Sequence, residues 1–211
     1  IKEATTTVVP ISEEIDTSPC TEIEKDQYAF PDICKHTLSD YIENLYDLGV
    51  VNGFDNGMFK PEEPVTRGQM ATFITRAFKL SVDTSGNCFS DVPDDYPHKL
   101  DIQALCNVEI VQGYGDGTFR PDNPLKRGEA TKFIALTMFQ KGYDITTYED
   151  HSFPDVLEGN PFNPYISFLS GITINDAKVI NGYSSGEFGP DDSMTRAQMA
   201  KVVSLSIDYT P

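Results

Sequence analysis

Three ordered landmarks recur three times along this chain, and the repetition limits the fold more than any other feature. The first copy carries Phe30-Pro31-Asp32, then Gly53-Phe54-Asp55-Asn56-Gly57-Met58-Phe59-Lys60-Pro61, then Thr66-Arg67-Gly68-Gln69. In the second stand Phe89-Ser90-Asp91, Gly113-Tyr114-Gly115-Asp116-Gly117-Thr118-Phe119-Arg120-Pro121 and Lys126-Arg127-Gly128-Glu129. The third runs Phe153-Pro154-Asp155, Gly182-Tyr183-Ser184-Ser185-Gly186-Glu187-Phe188-Gly189-Pro190 and Thr195-Arg196-Ala197-Gln198. Its spacing is about five residues longer, most simply through an insertion at Ser170 to Lys178. A single unit of this size cannot bury its own apolar face, so the copies must pack on one another.

Each copy has the same local plan. A helix follows Phe-x-Asp, with apolar positions Leu38, Tyr41, Ile42 and Leu45 in the first copy, Ile102 and Leu105 in the second, and Phe162, Tyr165, Ile166 and Leu169 in the third. A second helix follows the arginine, and its stripe Met70, Phe73, Ile74, Ala77 and Phe78 has helical period. Ala130, Phe133, Ile134, Thr137 and Met138 repeat it, as do Met199, Val202, Val203, Ser206 and Ile207. Between the helices, Asn56-Gly57, Asp116-Gly117 and Ser185-Gly186 mark a tight turn that needs positive φ, and the following Pro stops helix extension. Thr66 with Gln69 and Thr195 with Gln198 form capping boxes, whereas Lys126 leaves the middle helix less well capped. The expected fold is mostly α: three helix-loop-helix repeats packed as one compact pseudo-threefold domain. The repeats occupy 28–81, 87–141 and 151–208. Residues 1–27 form an extended N-terminal lead-in pinned at Cys20, and Gly142 to Ser152 a longer linker.

Charge and cysteines restrict the function. Thirty-three acidic against 16 basic side chains give a net charge of −17, which repels nucleic acid and anionic lipid. No apolar run is long enough to span a membrane. The start at Ile1, without Met or a signal h-region, reads as a processed form or a fragment. Cys20, Cys34, Cys88 and Cys106 contain no C-x-x-C, so a zinc ribbon or thioredoxin-like site is disfavoured. Of the three pairings that four cysteines allow, Cys20–Cys34 with Cys88–Cys106 is the simplest in an oxidising compartment; four buried thiols are the alternative.

The arginines Arg67, Arg127 and Arg196 most need an explanation. Each stands in the first turn of a helix, where the macrodipole disfavours a cation by roughly 0.3–1 kcal/mol. Two uses are open. Each guanidinium pairs internally, for which Asp32, Asp91 and Asp155 are the repeated candidates, or it joins free helix-start N–H groups in holding a carboxylate.

In its order Phe-x-Asp, helix, Gly-Tyr-x-Asp-Gly-x-Phe-Arg-Pro, Thr-Arg-(Ala/Gly)-(Glu/Gln), the chain from about Tyr28 to Asp208 resembles the S-layer homology repeat, usually found in threes. The resemblance implies a three-pronged, mostly helical spindle with grooves between prongs. It implies an extracellular module on the cell wall or S-layer that binds secondary cell-wall polysaccharide, commonly bearing a pyruvate ketal. On this reading Arg67, Arg127 and Arg196 would hold the ketal carboxylate. Gly53, Gly113 and Gly182, with Phe54, Tyr114 and Tyr183, would line the same grooves, although plain core packing accounts for the aromatics equally well. The sequence departs from the family in having no Trp before its first helices, Lys126 for the usual Thr or Ser, and Gly189 where a basic residue usually stands, so the grooves need not be equivalent.

Other chemistries find little support. No loop has calcium-ligand spacing, and Gly115-Asp116-Gly117 reads as a turn. His36, His98 and His151 fall at unequal repeat positions, and no nucleophile elbow, zinc-protease or P-loop motif occurs, so neither catalysis, a metal nor a cofactor is expected. The rival to glycan anchoring is a structural role, in which the repeats join neighbouring surface-layer proteins without binding a glycan.

Overall fold

The computed structural model describes residues 19–80, 83–146 and 153–209. Most of the lead-in, part of the linker and His151 lie outside them. The elements in chain order are α1 (Glu22–Lys25), a 3-10 turn (Pro31–Ile33), α2 (Ser39–Asp47), α3 (Arg67–Ala77), α4 (Lys99–Asn107), α5 (Arg127–Gln140), α6 (Asn163–Gly171), β1 (Thr173–Ile174), β2 (Ala177–Lys178) and α7 (Arg196–Asp208). The fold is mostly helical, as the period of the apolar residues predicts.

The second helix of each copy begins where its cap dictates. The Thr66 and Thr195 hydroxyls accept from the Gln69 and Gln198 N–H groups at 3.2 Å, and both glutamine side chains reach back to the threonine N–H. At Lys126 only half of that exchange exists: Glu129 accepts from the Lys126 N–H, but an ammonium has no lone pair to return. Lys126 instead bridges to Asp191 of the third copy at 2.6 Å.

Packing runs in a ring. α3 lies against α4, α5 against α6, and α7 against α2, so every second helix meets the first helix of the next copy, and α3, α5 and α7 also touch one another. Ahead of these three helices, Val65 N–H donates to Met194, Met194 N–H to Leu125, and Leu125 N–H to Val65, at 2.9–3.0 Å. This closed triangle joins residues with essentially no solvent exposure. Because α3, α5 and α7 meet both each other and the outer helices, burial extends beyond the predicted stripes to Ala71, Ala135 and Ala200.

The loops show why several side chains are what they are. Gly57, Gly117 and Gly186 have φ of 76–89°, while the residues before them keep ordinary φ, so each turn holds one left-handed residue. A second left-handed position precedes each proline: Lys60 (59°), Arg120 (55°) and Gly189 (70°). The glycine at 189 thus relieves backbone strain where its counterparts carry a cation. Insertion in the third copy makes the β1–β2 hairpin, turned by Asn175 and Asp176 at φ 47° and 64°, as a two-residue turn of that hand requires. Both cysteine pairs form, Cys20–Cys34 and Cys88–Cys106, with Cα atoms 6.3 and 6.6 Å apart. Cys20 precedes a one-turn helix capped by Thr21, so the described end of the lead-in is fastened to the first copy.

Candidate functional site

The repeated aspartates and arginines do not form direct pairs with one another. They meet on opposite sides of a shared peptide segment. Asp32 accepts from the Phe59 and Lys60 N–H groups, Asp91 from Phe119 and Arg120, and Asp155 from Phe188 and Gly189, all at 2.7–2.8 Å. Each arginine then donates Nε–H to the carbonyl of the corresponding phenylalanine in the following copy. Arg67 reaches Phe119 at 2.8 Å, Arg127 reaches Phe188 at 3.0 Å, and Arg196 reaches Phe59 at 2.8 Å. Their Nη2 groups donate to the Gln112, Asn181 and Asn52 carbonyls. The arginines are only 2–3% exposed, with each guanidinium stacked 4.4–4.7 Å from the buried Phe119, Phe188 or Phe59 ring. Burial lowers the pKa of Arg127, and that of Arg196 falls to about 10, so both remain charged at neutral pH.

The helix-start N–H groups are taken, contrary to the expectation of free donors. Those of Arg67, Arg127 and Arg196 donate to the Asn123, Asp192 and Glu63 carbonyls. Those of Gly68, Gly128 and Ala197 donate to Pro121, Pro190 and Pro61. An anion therefore finds no helix terminus here, and only an edge of each almost fully buried arginine reaches a cleft.

That edge lines three clefts of similar make-up, with cavity volumes of about 180, 140 and 170 Å³. Cleft 1 takes Asn52, Gly53, Phe54, Gln69 and Thr72 from the first copy, Arg196 from the third and His98 from the second. Cleft 2 takes Gln112, Gly113, Glu129 and Lys132 from the second copy, Arg67 from the first and Phe162 from the third. Cleft 3 takes Asn181, Gly182, Tyr183, Gln198 and Lys201 from the third copy, Arg127 from the second and Leu38 from the first. The structure thus gathers each sequence-predicted arginine with the predicted glycine of the next copy. Phe54 and Tyr183 join the linings; Tyr114 stands beside cleft 2, its ring 5.2 Å from the Arg67 guanidinium.

Steric demand alone fixes the three glycines. A Cβ at Gly53 would come within 2.6 Å of the Phe30 ring and 2.9 Å of the Met58 carbonyl. Phe89 and Thr118 crowd Gly113 in the same way, and Phe153 and Glu187 crowd Gly182.

The electrostatics of the clefts oppose those of the whole chain. Each is lined by two cations: Arg196 and Arg76, Arg67 and Lys132, Arg127 and Lys201. Burial lowers the pKa of Lys132 and Lys201. Glu129 is the one acidic lining residue among those described, and it pairs with Arg67 Nη1 at 2.8 Å. Gln69 and Gln198 hold that place in the other clefts, so among the described residues Arg196 and Arg127 make no direct ion pair. Carboxylates act on them only from further off, Glu63 and Asp32 on Arg196 and Asp192 and Asp155 on Arg127. The sequence reading missed several cleft residues, including Asn52, Gln112 and Asn181, although an amide before the glycine in all three copies was a visible signal. Leu38, His98 and Phe162 share no chemistry, although each stands four residues before the matching Ile42, Ile102 and Ile166.

A ring of helical repeats closed by buried arginines, with a cationic cleft at each junction, defines a tandem-repeat helical module. The S-layer homology domain family matches residues 29–71, 89–131 and 172–200, more than half of the chain, and the chain belongs to that family of cell-surface anchoring modules. It is 28% identical over 170 residues to a cellulosome-anchoring protein of Acetivibrio thermocellus, covering 76% of this chain and 36% of that protein. A surface-layer 125 kDa protein of Lysinibacillus sphaericus is 27% identical over 176 residues, 81% of this chain and 14% of the relative. An uncharacterized cell wall amidase of Bacillus anthracis is 34% identical over 116 residues, covering 54% and 22%. The chain thus spans little more than a third, or less, of the lengths of these relatives. No helix among the described residues is long and apolar enough to cross a membrane.

Proposed function

We propose that the chain is the non-catalytic anchoring part of an extracellular protein, binding secondary cell-wall polysaccharide in the clefts between its copies. The observation that carries this reading is the charge reversal: in a chain of −17, every cleft presents two cations. Small cationic clefts with half-exposed aromatic rims suit an anionic saccharide, and a ketal-linked pyruvate supplies the carboxylate that a guanidinium edge recognises. Relatives named for anchoring, surface layers and the cell wall support the same reading.

The contributions are unequal. Glu129 already offers Arg67 a carboxylate at 2.8 Å, whereas Arg127 Nη1 meets only the neutral Gln198 Oε1 at 3.5 Å and Arg196 lines its cleft beside the neutral Gln69. Clefts 1 and 3 are therefore the binding clefts, and cleft 2 is the weaker one. Pull-down of the chain on cell-wall sacculi, before and after the secondary polymer is stripped, tests the reading. Retention should be lost on stripped walls; equal retention would sink it. Self-assembly without wall, seen by light scattering, would favour a lattice role.

A further inference from the structure

We infer that cleft 1 takes up a proton when it takes up an anion, and that His98 is the residue that titrates. The inference rests on the anionic-ligand reading of the clefts and adds a property that clefts 2 and 3 lack. Phe162 and Leu38, which cannot titrate, stand where cleft 1 has His98.

The hydrogen bonds around His98 settle its tautomer. Nδ1 lies 2.8 Å from Thr72 Oγ1, and the same hydroxyl donates its only proton to the Asp101 carboxylate. Thr72 Oγ1 can then only accept from the ring, so Nδ1 carries the proton of the neutral imidazole. Nε2 is left as a bare acceptor with no hydrogen-bond partner among the described residues, on a ring that lines the cleft beside Arg196. A bare acceptor repels a carboxylate, and the same atom once protonated donates to it.

Charges from every neighbouring element bear on the ring. Burial favours the neutral form most and Arg76 on α3 adds to it, while Asp101 on α4 and Asp122 in the following loop oppose it; the net is a lowered pKa. Arg196 from α7 lines the same cleft, and the Tyr96 ring meets His98 edge-on at 5.7 Å. A carboxylate entering between Arg196 and His98 adds the negative charge this balance lacks and raises the pKa in the complex. The bound-state pKa then exceeds the free-state one, so added affinity is fully present below the free-state pKa and lost as pH rises through the bound-state pKa. An opposite charge at about 4–6 Å shifts a pKa by about 1–3 units, so affinity at cleft 1 should rise about tenfold or more across that window.

Calorimetric titration with purified pyruvylated wall polysaccharide, at pH 5.5 to 8.0 and in two buffers of different ionisation enthalpy, reads proton uptake directly. The native chain should gain protons on binding, more tightly at low pH. His98→Leu and His98→Phe carry the side chains of the other clefts, so they should fold, bind without that uptake and lose the pH dependence. Uptake unchanged in both variants, or pH-independent binding by the native chain, overturns the role of His98 and leaves the glycan reading standing. Absence of binding at every pH overturns both.

Discussion

Arg196 donates Nε–H to the carbonyl of Phe59 at 2.8 Å across 137 positions of sequence, fastening the last copy to the first. Arg67 and Arg127 make the equivalent bond one copy ahead. A cation in the first turn of a helix is unfavourable locally, and these three are offset by buried carbonyls and stacked rings that only the neighbouring copy supplies. The same side chains that close the ring line the clefts, so stability and the proposed binding share residues.

The arginines should differ in what their loss costs. Replacing Arg196 with Met leaves the Phe59 and Asn52 carbonyls without donors and should cost about 2–3 kcal/mol. Arg67→Met also strands the Glu129 carboxylate, whose side chain is only 15% exposed, and should cost about 3–5 kcal/mol. Adding Glu129→Gln to Arg67→Met should recover part of the loss. Urea midpoints check the order; equal losses would show that the Arg67–Glu129 pair has no coupling.

Glycine replacements separate steric need from mere repetition. Gly53→Ala, Gly113→Ala and Gly182→Ala force the Phe30, Phe89 or Phe153 ring and a hairpin carbonyl to move, at about 1–3 kcal/mol each. Gly115→Ala should be near neutral, because its Cβ would meet nothing within 4 Å and its counterparts are Asp55 and Ser184. Thermal melts of the four variants decide this.

These glycines and arginines also show how far the sequence could be read. Repetition made both visible, and helical period gave the helices correctly because apolar spacing depends on local geometry. Whether a repeated residue serves packing or ligand is set by neighbours from other copies. The repeated aspartates therefore looked like candidate ion-pair partners for the arginines, while in the fold Asp32 and Arg196 bind the N–H and the C=O of the same Phe59. Gly189 looked like the loss of a basic residue until its left-handed φ was known. His98 holds the repeat offset of Leu38 and Phe162, but its titratable chemistry has no counterpart in the other copies.

Lys126→Thr restores the missing half of a capping box. A threonine cap contributes about 0.5–2 kcal/mol, whereas the exposed Lys126–Asp191 bridge it removes is worth about 0–1 kcal/mol. The net effect should be a modest rise in Tm, and a fall would show that the bridge to the third copy outweighs the cap.

Acid should loosen the loops that frame the clefts. Burial pushes the Asp155 carboxyl up, but the Phe188 and Gly189 N–H groups and nearby Arg127 outweigh it and hold the pKa below the usual value. A depressed folded-state pKa contributes stability above the unfolded value near 3.9, which is lost as pH falls through the folded one. Stability should therefore decline below about pH 4, and Asp155→Asn should flatten that decline. Urea unfolding from pH 6 to 2.5 measures it; an identical acid limb in the variant would contradict the assignment.

The central claim is that the clefts recognise a carboxylate on a wall glycan. Binding should be compared by calorimetry between purified secondary polysaccharide carrying its pyruvate ketals and the same polymer after mild acid has removed them. The account predicts tight binding to the first and at least about a tenfold loss with the second, a tenfold loss being about 1.4 kcal/mol. Equal affinity for the two polymers would contradict it.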